Sequence, residues 1–91
     1  MKQLIARIRI NPAEAEWTPQ KLVERLHPSL GPVELRRFWE EPIAFGVKAL
    51  VIEVVMPDEE GALDGLERRI SELPEVGSIQ VLGVGRLSTT I

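Results

Sequence analysis

The chain has 91 residues, no cysteine, and 11 basic against 14 acidic side chains, giving a net charge of −3. That length suits one domain around one core, and the lack of cysteine excludes disulfides and thiolate metal sites. An acidic balance without a long basic run argues against a nucleic-acid binder, although Lys2, Arg7, Arg9, Arg36, Arg37 and Lys48 fall on predicted strands and leave room for a local basic patch. The aromatic residues are Trp17, Phe38, Trp39 and Phe45, so the core must be built from Leu, Ile and Val. The longest apolar run, Ala49 to Met56, is interrupted by Glu53 and is too short to span a bilayer. Arg7 and Arg9 break the N-terminal apolar stretch that a signal peptide would need. The expectation is a soluble cytoplasmic protein.

Leu4, Ala6, Ile8 and Ile10 alternate with polar residues and predict a half-buried first strand, ended by Asn11-Pro12. Thr18-Pro19 reads as a helix N-cap followed by proline in the first turn. Leu22, Val23 and Leu26 form the apolar stripe, and Pro28 stops the helix near His27. Leu30-Gly31-Pro32 is a turn, and Val33 to about Trp39 or Glu40 alternates as a second strand. Val47 to Met56 is the most apolar strand and therefore central. After the acidic turn Pro57 to Gly61, the residues Leu63, Leu66, Ile70 and Leu73 make an amphipathic helix seam that Pro74 terminates. Ile79 to Leu87 is the last strand, with Gly83 and Gly85 on one face that is either flat or closely approached. The order β-α-β-β-α-β predicts an α+β, ferredoxin-like sandwich: a four-stranded antiparallel sheet with the first and third strands central and two helices on one face.

Between the second and third strands lies Glu41-Pro42-Ile43-Ala44-Phe45-Gly46. Pro42 cannot donate to a ladder and Gly46 weakens a strand, so the segment reads as a loop or strand break. Its apolar content argues either for burial of Phe45 under the sheet rim or for a partner that receives it. In Phe38-Trp39, adjacent side chains point to opposite faces, one toward the core and one over the outer face. Arg86 lies near the end of the last strand. With the third strand taken as parallel to the first and the fourth as antiparallel, Phe45 and Arg86 share one rim, an apolar group beside a cation.

Covalent chemistry finds little support. His27 is the only histidine and suits the end of a helix better than a base, because no nucleophile motif accompanies it. Asp58-Glu59-Glu60 with Asp64 lacks the spacing of a calcium loop and reads as an acidic helix start. Gly83-Val84-Gly85 lacks the third glycine and the helix of a dinucleotide site. The two predicted central strands carry no aromatic on which a base could stack. No metal, cofactor or catalytic group is expected.

The run Glu41-Pro42-Ile43-Ala44-Phe45-Gly46-Val47-Lys48-Ala49-Leu50 resembles the signature of the translation elongation factor 1-beta family in its short archaeal form. The acidic turn and helix from Asp58 agree, as does the stretch from Leu73 through Val81 to Arg86-Leu87. The resemblance implies a ferredoxin-like guanine-nucleotide exchange domain spanning residues 1–91. Such a domain promotes GDP release and GTP rebinding on the GTPase elongation factor 1-alpha. It also implies that Phe45 inserts into the partner, with Pro42, Ile43, Ala44, Gly46 and Lys48 around it. Arg86 would reach the magnesium and P-loop region, where eukaryotic members usually carry lysine. Ser88 to Ile91 would be a frayed tail or a partner contact. The alternative reading is a small-ligand or oligomerisation module on the same fold.

Overall fold

The computed structural model describes residues 2–87. Its elements are β1 (Gln3–Pro12), α1 (Pro19–Leu26), a 3-10 turn at His27–Leu30, β2 (Glu34–Ala44), β3 (Val47–Pro57), α2 (Ala62–Ser71) and β4 (Val76–Leu87). Thr18 caps α1, its hydroxyl accepting from the Lys21 N–H at 3.4 Å, with Pro19 in the first turn. Exposed His27 is the C-cap, and the chain passes Pro28 by tightening to 3-10 geometry, which lengthens the connection beyond the predicted stop. The apolar seams of the two helices behave as their spacing predicts. Leu22, Val23, Leu26, Leu66 and Ile70 are buried, with Leu63 and Leu73 packed at the edge of the core.

The strands form one antiparallel sheet in the order β2-β3-β1-β4, the ferredoxin-like arrangement. Ala6, Ile8 and Ile10 of β1 and Leu50, Ile52, Val54 and Met56 of β3 face the helices, and together they make an aliphatic core. Directly opposed residues share a face, so Val51, Glu53 and Val55 of β3, with Arg7 and Arg9 of β1, belong to the opposite side of the sheet. Among the described residues no helix packs on that side, yet Ala49, Val51 and Val55 are buried there. The long stems of Arg7, Arg9 and Arg37 and the ring of Trp39 cover them, keeping polar tips in water.

Several expectations need correction. The segment 41–46 is not a strand break: β2 runs on to Ala44, and only Phe45 and Gly46 lie between the two strands of the hairpin. Pro42 is tolerated because β2 is an edge strand, and a bulge between Pro42 and Ala44 absorbs Ile43. Of Phe38 and Trp39, neither enters the core. Phe38 opposes Ile52 on the helix side but remains 43% exposed at the sheet edge, whereas Trp39 covers the outer face. Gly83 leaves open space and Gly85 meets only the Ile5 side chain at ordinary contact distance, so the glycine face is flat.

The strand directions also differ from the expectation. The crossover through α1 makes β1 and β2 parallel, and the hairpin then turns β3 round, so β3 is antiparallel to β1 and parallel to β4. The start of β3 and the end of β4 therefore lie at opposite ends of the sheet.

Candidate partner-binding site

The hairpin tip is built by two residues with positive φ, Phe45 at 52° and Gly46 at 79°, closing between the paired residues Ala44 and Val47. Two positive φ values in a two-residue loop are the pattern of a type I′ turn, whose twist matches that of the strands it joins. Asn, Asp and Gly suit the first position, because a β-carbon there crowds the backbone. Phenylalanine occupies it instead and is 104% exposed, so the strain gains no packing within the chain. Burial of Phe45 under the sheet rim is thereby excluded. Ile43 is 51% exposed and Pro42 and Ala44 are exposed beside it, so the tip is an apolar cap on a projecting ribbon. Lys48 flanks this cap and pairs with Glu40 at 3.3 Å.

Arg86 is elsewhere. It opposes Leu4 of β1, and Leu4 opposes Met56 of β3. Nine residue steps along β3 lead from Met56 to Val47, roughly 30 Å at about 3.3 Å per residue. The shared rim is therefore wrong. Pro42, Ile43, Ala44, Phe45, Gly46 and Lys48 come together at one end, and Arg86 stands at the other on a body 43 Å long. The residues Ser88 to Ile91 lie outside the described part of the chain.

In the sequence Glu53 stands out only as an interruption of an apolar run. In the structure it is the buried hub of the outer face, 5% exposed, with Arg37 donating through Nε to Oε1 at 3.0 Å and through Nη2 to Oε2 at 3.2 Å. Arg7 donates to Oε2 at 3.2 Å, and both guanidiniums lie over the Trp39 ring at 5.4 and 5.2 Å. A lone acid in the most apolar strand, flanked by arginines on both neighbouring strands, was the available signal. These pairings also partly neutralise the suspected basic patch, with exposed Lys2 and Arg36 in no ion pair among the described residues. Arg7 and Arg37 are committed to Glu53, Arg9 to Glu41 and Gln80, and Lys48 to Glu40.

The Arg37 hydrogen bonds, with help from Arg7, hold the Glu53 carboxyl below its ordinary value of 4.5 against the opposing effect of burial. Glu75 is lowered in the same sense, first by its own backbone N–H and then by Arg25. A depressed carboxylate stabilises the fold fully above its unfolded value and loses that contribution as pH falls through the folded one. Thermal unfolding from pH 7 to pH 3 should therefore show a falling Tm, with wild type and Glu53→Gln converging below pH 4.5. A gap between them that does not narrow would refute the ion-pair account.

Among the described residues, no group of three or more His, Cys, Asp or Glu side chains is placed to hold a metal ion, and no helix is long and apolar enough to cross a membrane.

The chain is 38% identical to elongation factor 1-beta of Desulfurococcus amylolyticus, over 97% of this chain and 100% of that protein. It is 33% identical to the Thermofilum pendens elongation factor 1-beta, over 97% and 99% respectively. It is 31% identical to that of Methanocaldococcus jannaschii, over 92% and 97%. The C-terminal domain of MgtC from Mycobacterium tuberculosis is 17% identical, with a TM-score of 0.48 over 96% of this chain and 86% of that one, a likeness too loose to carry a functional reading. The EF-1 guanine nucleotide exchange domain matches residues 5–87, nearly the whole described chain, and the protein belongs to that family of elongation factors.

Proposed function

We propose that this protein is the guanine-nucleotide exchange factor of elongation factor 1-alpha, acting in the cytoplasm during translation elongation. Residues 1–91 would serve as one exchange domain. Family membership supports the reaction class. The observation that carries the site is a fully exposed Phe45 held at left-handed φ on an apolar tip. Strain kept without internal packing points to a contact outside the chain.

The physics of exchange is linkage. A protein that binds the nucleotide-free GTPase more tightly than the GDP-bound form must weaken GDP to the same degree. No covalent step is needed, so the chain would act without being a catalyst of bond chemistry. Phe45, with Pro42, Ile43, Ala44, Gly46 and Lys48, would anchor the partner. Arg86 would approach its nucleotide and magnesium region, where a cation replaces part of the metal's charge without its coordination geometry. Because the two ends lie about 30 Å apart, they would meet two separate places on the GTPase. Cellular GTP would then refill the vacated site.

The test is the release of fluorescently labelled GDP from elongation factor 1-alpha, followed by stopped flow with this protein added. Acceleration that saturates with concentration is expected; an unchanged release rate at saturating concentration would remove the proposal.

A further inference from the structure

Beyond the two contact points, the structure assigns a positioning role to Asp58, which holds the Arg86 guanidinium in place before the partner arrives; this rests on the exchange reading above. Asp58 directly follows β3, and its backbone N–H donates to the Lys2 carbonyl at 3.1 Å. That bond extends the β1–β3 ladder one step past the Gln3–Pro57 pair, so the Asp58 backbone is pinned at the end of the sheet. Its carboxylate Oδ2 lies 3.3 Å from Arg86 Nε. Arg86 comes from β4, on the far side of β1. Its side chain therefore reaches across the end of β1 to a group two strand spacings away, roughly 10 Å between backbones.

Two features give this contact a positioning sense. It is an ion pair through Nε, the nitrogen nearest the stem, and among the described residues the Arg86 guanidinium makes no hydrogen bond at Nε or at either Nη. The Arg86 side chain is 75% exposed, whereas that of Asp58 is 23% exposed. The acid is thus the more buried member and the guanidinium the more exposed one. An arginine has several rotatable bonds, and ordering them on binding is costly. Holding them beforehand lowers that cost, the general benefit of preorganisation. Glu59 and Glu60 are exposed, and neither takes part in an ion pair among the described residues.

The experiment has two arms on the full chain. In the first, the Arg86 Nε–Hε signal is followed by NMR in the free protein. Asp58→Asn should shift it and lower its heteronuclear NOE toward that of an unrestrained arginine, while Asp58→Glu should recover part of both. An unchanged signal in Asp58→Asn would overturn the ordering claim without reference to any GTPase. In the second, labelled GDP release is measured for wild type, Asp58→Asn, Arg86→Ala and the double variant. Asp58→Asn is expected to slow release at saturation by about two- to fivefold, the range of an exposed ion pair, and the double variant should be no slower than Arg86→Ala. Independent, multiplying losses, or faster release in Asp58→Asn, would overturn the positioning role. If Arg86→Ala itself changes nothing, the exchange reading of Arg86 fails, whatever the first arm says of the ion pair.

Discussion

Replacing Phe45 by Asn is expected to make the domain more stable and the exchange reaction much weaker. Phe45 sits at φ 52° in the first position of a type I′ turn, next to Gly46 at 79°. A left-handed conformation costs an ordinary L-residue roughly 1–2 kcal/mol, much of which Asn avoids. Asn-Gly is the favoured pair in such turns. Since Phe45 is fully exposed, its removal forfeits no packing. The gain should be about 1 kcal/mol, or roughly 4–8 °C in Tm for a domain of this size. As the anchor of an interface, the same side chain is worth about 2 kcal/mol or more, near a 30-fold rise in the concentration needed for half-maximal GDP release. Calorimetry and stopped flow should therefore move in opposite directions. A lowered Tm would mean that the tip packs against its own domain, and an unchanged half-saturation would take Phe45 out of the interface.

Arg86→Ala should act on a different kinetic quantity. About 30 Å of sheet separates Arg86 from the tip, so its loss should leave the half-saturating concentration nearly unaltered and reduce the limiting rate. A coupling of about 1–3 kcal/mol between exchange factor and nucleotide corresponds to roughly 5–150-fold, and loss of the cation should remove most of it. Removing magnesium should shrink the gap between wild type and variant, because a cation that competes with the metal has less to do once the metal is gone. Phe45→Ala and Arg86→Ala should combine independently, as distant sites do. A half-saturation change equal to that of Phe45→Ala would show that both residues serve one docking step.

Much of this architecture was legible in the chain. The β-α-β-β-α-β order placed β1 and β3 centrally, and the apolar spacing of α1 and α2 named the residues that meet in the core. The hairpin was less legible, since Pro42 and Gly46 usually punctuate a strand. An edge position and a bulge let β2 continue through Pro42 to Ala44, and neither device can be read from one sequence. Placing Phe45 and Arg86 together failed on chain direction. A crossover followed by a hairpin reverses β3 relative to β1, and that geometry outweighs any impression of residues sharing an edge. Glu53 was hidden because its partners Arg7 and Arg37 are 46 and 16 residues away along the chain. The family resemblance singled out Phe45 as a candidate, while its strain became visible only in the backbone angles.

The continuous β2–β3 ribbon has one further consequence: it makes the molecule a gauge. The reach from Arg86 to Phe45 is set by the count of rungs along β3, not by a pliable loop. Lengthening each strand by one residue near Ala44 and Val47 would advance the tip by only about 3.4 Å, but it would turn the aromatic to the reverse side of the ribbon. Two residues in each strand would restore its aim and overshoot by nearly 7 Å. Tolerance to insertion at the tip is therefore odd–even in character, with neither parity preserving both direction and span.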